Sequence, residues 1–257
     1  MHSIIVFIYC YKNKNFYDII KKLKEKSSNQ NNIVYAVYDQ NNEDKTTEYA
    51  AYKDVVYKHI FWDRKELISK YRNELLDKEY DYFFEIGNVL NIQQNWDNKL
   101  IEACNNSIIL NDDISFLNLI FVNKQNSKIL KQLSGLSFYG QYIYLLYLAY
   151  TNNIKIKKIN ENFVSFKINS VLESDYVPYP LYNKYNQIIE EIKTNKGFVD
   201  YVYNFYGFEV NFLNKKIYQQ NMLDYSDLSY DSDDLKTTRF DRVKRQMVRS
   251  KNLKGGI

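Results

Sequence analysis

Histidine, proline, glycine and cysteine are all scarce in this chain of 257 residues. His2 and His59 are its only histidines, so a His-rich zinc site and a His-based catalytic triad are close to excluded. Two prolines and seven glycines, beside 26 tyrosines and 15 phenylalanines, argue against a disordered or collagen-like chain. Cys10 and Cys104 are too few for a disulfide framework, and Cys10 sits in an apolar run, which suits a reducing compartment. No apolar run is long enough to span a bilayer. The first one, HSIIVFIYCY, has no basic region before it and runs into YKNKN, so it reads as a strand and not as a signal peptide or anchor. A net charge of +4 is too small by itself to imply a nucleic-acid partner.

What the chain does have is an alternation of apolar strands and amphipathic helices. Ser3 to Tyr11 is continuous in β-branched and aromatic residues, the pattern of a strand covered on both faces. Phe16, Ile19, Ile20 and Leu23 recur at helical spacing through Lys26, and Ile33 to Tyr38 follows as a second strand. Such a βαβ start collects ligands at the carboxyl ends of its strands, where Tyr11, Lys12, Asp39 and Gln40 lie. Val55 to Ile60 reads as a strand, and Asp63 to Leu76 as a helix with an Asp63/Glu66 capping box. Tyr82 to Ile86 is a central strand, and Trp96 to Cys104 a helix. Ile108 to Leu110, Leu117 to Val122, Ile154 to Ile159 and Phe163 to Ile168 are further strands, with an apolar helix over Gln141 to Tyr150. The expected class is α/β, a mostly parallel twisted sheet with flanking helices. The Asn, Lys, Tyr and Ile content fits an AT-rich genome, such as that of a virus, so much of the lysine reflects codons and not chemistry.

Three segments follow from composition: a main domain over 1–175, a helical extension over 176–222 that starts at Pro178 and Pro180, and a tail over 223–257. Within the extension, Leu181 to Lys193 and Gly197 to Tyr206 read as helices. The tail is acidic to Leu235 and basic from Lys236 to Lys254. Its Asp231-Ser232-Asp233 follows no apolar strand and reads as solvated. The basic part could meet an anionic membrane, DNA or an acidic partner, or fold back on the acidic part.

Three local motifs carry a resemblance over roughly Ser3 to Phe166. They are Tyr11-Lys12-Asn13 after the first strand, Arg72 on the helix that leads into Glu79-Tyr80-Asp81-Tyr82, and Asn95-Trp96-Asp97 after the central strand. Together they resemble the GT-A class of glycosyltransferases, in particular the cytoplasmic polypeptide GlcNAc-transferases. The resemblance implies a GT-A-like, Rossmann-like fold and a nucleotide-sugar donor, a UDP-sugar. Tyr11, Lys12, Asp39, Gln40, Arg72 and Trp96 would bind the donor, with Arg72 reaching the diphosphate as a bidentate donor. Trp96 is either a flat wall for a sugar face or core, and Asp97 either caps its helix or binds a hydroxyl. Asp97 and Gln141 stand at the positions expected to act in catalysis. The acceptor would be a protein hydroxyl or a modified DNA base, in the cytoplasm.

The departures from that family are equally specific. Where it has Asp-x-Asp or Asp-x-His to hold manganese or magnesium, this chain has Gly87 and Val89, which cannot ligate a hard cation, although Glu85 and Asn88 lie close enough in sequence to substitute as a weak ligand set. Its Gly-Glu-Glu is here Gly140-Gln141-Tyr142, and an amide cannot accept a proton near neutral pH. Its late histidine falls near Ser165-Phe166. Two expectations follow: a sugar transferase that works without a metal, or an inactive GT-A scaffold used to bind a glycan, nucleic acid or partner.

Overall fold

The computed structural model describes residues 1–10, 16–39, 52–59, 66–87, 89–111, 119–133, 138–159, 163–166, 187 and 190–206. The N-terminal apolar run forms β1 (Ser3–Cys10) at the centre of a sheet, bonded to parallel neighbours on both sides. Ile4, Val6 and Ile8 face one layer of helices while Ile5 and Phe7 face the other, which is why its sequence shows no polar alternation. Its neighbours are β2 (Asn32–Asp39) and β4 (Tyr82–Ile86), and β3 (Val55–His59) lies outside β2. Beyond β4 come β7 (Leu119–Asn123), β6 (Ile108–Asn111) and β8 (Ile156–Ile159), giving the order β3-β2-β1-β4-β7-β6-β8. Both neighbours of β7 pair with it antiparallel, and every other pairing in this sheet is parallel. The chain winds outward from β1 to β3 and then returns to the other side at β4. Such a reversal opens a crevice at the carboxyl ends of the strands.

Among the described residues the sheet is covered by α1 (Phe16–Lys26), α2 (Glu66–Leu76), α3 (Trp96–Cys104), α4 (Phe138–Thr151) and α5 (Lys196–Tyr206). One face packs α1 and α3 through Ile19, Ile20, Leu23, Trp96 and Leu100. The other packs α2 and α4 through Tyr71, Leu75, Tyr142, Leu145 and Leu146, with Phe198 and Val202 of α5 against the same core. Asn195 opens α5 by accepting the Phe198 N–H at 3.1 Å. At Gly197 a Cβ would lie 2.6 Å from the Tyr150 hydroxyl, so the two helices approach closely there. Asn153, at φ 56°, ends α4 in the left-handed region while the Ile154 N–H reaches back to the Ala149 carbonyl at 2.8 Å. This turn is the reason β8 starts at Ile156 and not at Ile154. No helix among the described residues is long and apolar enough to cross a membrane.

The expected α/β class, a mostly parallel sheet flanked by helices, is the one observed. One element was not expected. β5 (Val89–Ile92) pairs antiparallel with β9 (Val164–Phe166) in a separate two-stranded ribbon. Its partner is so distant in sequence that no local pattern announces it. Asp63 of the expected capping box, and the whole tail over 223–257, lie outside the described residues.

The start of β1 is tied to the start of β4 by Asp81, whose Oδ2 accepts from the Ser3 N–H at 2.8 Å and the Ser3 hydroxyl at 3.2 Å. The backbone bond from Ser3, then its hydroxyl and His2, hold the Asp81 carboxyl below the usual carboxylate range. A folded pKa below the unfolded one gives stability that is full above the unfolded value of about 4 and is lost as pH falls through the folded value. The difference in urea stability between wild type and Asp81→Asn should therefore be larger at neutral pH than near pH 3 (roughly one unit below the unfolded value). A difference that widens on acidification would contradict this.

Candidate functional site

Glu85 interrupts the apolar strand Tyr82–Ile86 one residue before its carboxyl end. It stands in register with Phe7 and Ile120, on the sheet face covered by α2 and α4. A carboxylate there is only 2% exposed and requires a partner. Arg72, in the middle of α2, supplies it: its Nη2 donates to Glu85 Oε1 at 2.6 Å and to Gln141 Oε1 at 2.9 Å. Gln141 comes from the first turn of α4. The next residue, Tyr142, donates its hydroxyl to the carbonyl of Asn111, the last residue of β6, at 2.9 Å. The amino end of α4 therefore lies at the carboxyl ends of β4 and β6, and brings the positive end of its dipole to the cluster.

The guanidinium is fully buried, yet among the described residues its Nε and Nη1 make no hydrogen bond, and neither does Glu85 Oε2. Each buried donor left in this way costs about 1–3 kcal/mol. Tyr71, beside Arg72 in sequence, also buries an unpartnered hydroxyl. Burial, and then the Glu74 carboxylate, push this phenol up to about 12, so it remains a neutral donor at physiological pH. Asp39 sits at the same end of the sheet, the last residue of β2, and is fully buried. The Tyr57 hydroxyl donates to it at 2.8 Å. Val37, two residues back on the same strand, packs against the α1 layer, so Asp39 faces that side while Arg72 and Gln141 face the other.

Trp96 and Asp97 lie at the opposite end. Trp96 is fully buried, 5.1 Å from the Phe84 ring, and its Nε1 donates to the Leu23 carbonyl at 2.8 Å. Leu23 belongs to the last turn of α1, whose carbonyls have no partner within the helix. The others are met nearby: Ser27 reaches Lys24, Gln94 reaches Glu25 and the Asn95 N–H reaches Lys26. Asp97 is fully buried and accepts from the Ser28 N–H at 2.8 Å, the Ser28 hydroxyl at 2.5 Å and the Asn31 side chain at 2.9 Å. Asp97 thus makes no cap on its own helix. Asn31 immediately precedes β2, so the segment from Gln94 to Asp97 forms a clasp over the end of α1 and the start of β2.

The structure thus brings Arg72 and Gln141 into direct contact, sets Asp39 at the same end, and holds Trp96 and Asp97 apart from them. Tyr11, Lys12 and Gln40 lie outside the described residues. Glu85, expected only as a substitute metal ligand beside Asn88, is instead the residue that joins Arg72 to the sheet. Its signal in the sequence was a lone charge inside YFFEI.

Gly87 stands where the resembled family has its first metal-binding acid, and the carboxylate nearest to it in sequence, Glu85, is engaged by Arg72. This donor set does not fit a divalent ion. No group of three His, Cys, Asp or Glu among the described residues could hold a metal. A cavity of about 110 Å³ lies away from this cluster, against α1 and the start of β3, lined by Tyr17, Ile20, Lys24, Tyr52 and Val55 among others.

No protein-family model and no curated protein matches the chain. Solved structures that it is similar to include a protein described as a nucleotide-diphospho-sugar transferase from Desulfovibrio desulfuricans G20, at TM-score 0.44 and 10% identity over 74% of this chain and 97% of that one. Glucosyl-3-phosphoglycerate synthase from Mycobacterium tuberculosis, in complex with Mg²⁺ and uridine diphosphate, is similar at TM-score 0.44 and 10% identity, over 65% and 72% of the two chains. TarS from S. aureus is similar at TM-score 0.48 and 12% identity, over 76% of this chain and 40% of that one. None of these scores reaches 0.5, so the site chemistry stands on the chain's own residues.

The clasp makes a quantitative expectation. Trp96→Phe leaves the Leu23 carbonyl without its donor and should lower the unfolding free energy by about 1–3 kcal/mol in urea titration. Asp97→Ala strands the Ser28 N–H and hydroxyl and leaves the Asn31 amide only its bond to Asn98, and should cost about 3 kcal/mol. Variants as stable as wild type would refute the clasp.

Proposed function

We propose that the chain binds a uridine-diphosphate sugar at the carboxyl ends of β1, β2 and β4 and transfers the sugar to a hydroxyl of a protein or of a modified DNA base, without a divalent metal. The observation that supports this most is the Arg72 guanidinium, buried at the end of the central strand with Nε and Nη1 unpartnered. Departure of a diphosphate builds negative charge on its oxygens. A fixed cation in a water-poor site stabilises that charge at little reorganisation cost, and a guanidinium matches phosphate geometry better than an ammonium does. In this reading Glu85 and Gln141 orient Arg72 through its Nη2. Gln141 acts through Arg72 and takes no proton. Asp39 binds donor hydroxyls from the other side of the crevice. Tyr11, Lys12 and Gln40 join the site by their place directly after β1 and β2, with Lys12 as a second cation. Trp96 and Asp97 hold the frame at the far end. The basic segment from Lys236 to Lys254 would contact an acidic acceptor or DNA phosphates, and the compartment is the cytoplasm.

One observation favours a second reading, an inactive scaffold that binds a glycan or partner: the Arg72 cluster is closed by its own carboxylate, Glu85. Titration calorimetry with uridine diphosphate separates the two. The transferase reading predicts binding in EDTA that manganese strengthens less than threefold, well under 1 kcal/mol. No binding with or without manganese would refute it.

A further inference from the structure

The charge balance around Arg72 rests on one uncharged residue. Glu85 is the only ion-pair partner of the guanidinium among the described residues. Gln141, 4% exposed and 2.9 Å from Nη2, fills the second acceptor position with a neutral oxygen. A carboxylate at 141 would compensate the guanidinium twice. With the amide, one positive charge meets one negative charge, and the amino end of α4, worth roughly half a positive charge, remains as surplus. The Nε–H and both N–H bonds of Nη1 are buried and carry no hydrogen bond among the described residues, so an anion must open a place beside them to bind.

We propose that Gln141 is a specificity-determining residue: its neutrality makes the Arg72 cluster a receptor for a multiply charged phosphate oxyanion, of the pyrophosphate class, that needs no divalent cation. This rests on the reading that the diphosphate of the donor lies at this end of the sheet, but it concerns the anion alone. The pyrophosphate oxygens would accept from Nε and Nη1 while Glu85 and Gln141 keep Nη2, so no existing bond is broken. The sheet side of the cluster is formed by β4 and the helical side by α2 and α4.

The probe is inorganic pyrophosphate, titrated into the full-length protein in EDTA. Wild type should bind it, and Gln141→Glu, confirmed as folded by circular dichroism, should weaken binding at least tenfold. The double variant E85Q/Q141E moves the carboxylate from one side of Arg72 to the other and restores the charge count. It should recover affinity to within threefold of wild type, a rescue that a purely structural role for Gln141 would not produce. On the wild-type protein, the Nε–H proton resonance of Arg72, identified by its loss in Arg72→Lys, should shift on adding pyrophosphate. Binding that requires manganese, an affinity unaffected by Gln141→Glu, a folded double variant that fails to rescue, or an unmoved Arg72 resonance would each overturn the proposal. Pyrophosphate binding without any turnover of a UDP-sugar would leave it standing while removing the transferase reading.

Discussion

A guanidinium inside an α/β sheet protein is expensive to place, and the architecture around Arg72 is arranged to keep it there. Its Nη2 links three elements that are far apart in sequence: α2, the central strand β4 and the first turn of α4. Removing one partner of such a buried pair costs about 3–5 kcal/mol, because the remaining charge is stranded. An apolar residue at Glu85 would serve the core at least as well as the ion pair does, so the pair is poorly explained by stability alone. Its position is the carboxyl end of the strand beside the chain reversal, where such sheets collect ligands, and the proposed function rests on that placement.

The two ends of the sheet have divided their labour. At the amino end, the polar side chains of Ser28, Asn31 and Asp97 are consumed by one another, and the last carbonyls of α1 are all met. At the carboxyl end, Arg72, Glu85 and Tyr71 keep unpartnered polar atoms in buried positions. Satisfied polar groups make a rigid frame, and in the proposed reading an oxyanion would use the unsatisfied donors, Nε and Nη1 of Arg72 and the Tyr71 hydroxyl, and not Glu85 Oε2.

Much of the frame was legible in the sequence because it obeys local rules. The strand β1 announced itself by an unbroken apolar run, α1 by its helical spacing over Phe16 to Lys26, and α5 by the apolar face that holds Phe198 and Val202. The ribbon of β5 and β9 was hidden, since Val89 to Ile92 gains its strand identity from a partner some seventy residues away. The site was legible in part. Arg72 and Gln141 could be singled out by their positions, but their contact, and the part of Glu85 in it, depends on how α2 and α4 cross the sheet. Trp96 and Asp97 show the opposite case: a tryptophan and an acid side by side look the same in sequence whether they face a ligand or the end of another helix.

The central claim is that the diphosphate of a nucleotide lies on Arg72. A crystal structure of the protein with uridine diphosphate, grown in EDTA, tests it most directly. The account predicts a phosphate oxygen within about 3 Å of Arg72 Nε or Nη1, with Nη2 still on Glu85. Uridine diphosphate lying beside Trp96 and Asp97, or on a metal site with Arg72 untouched, would contradict it.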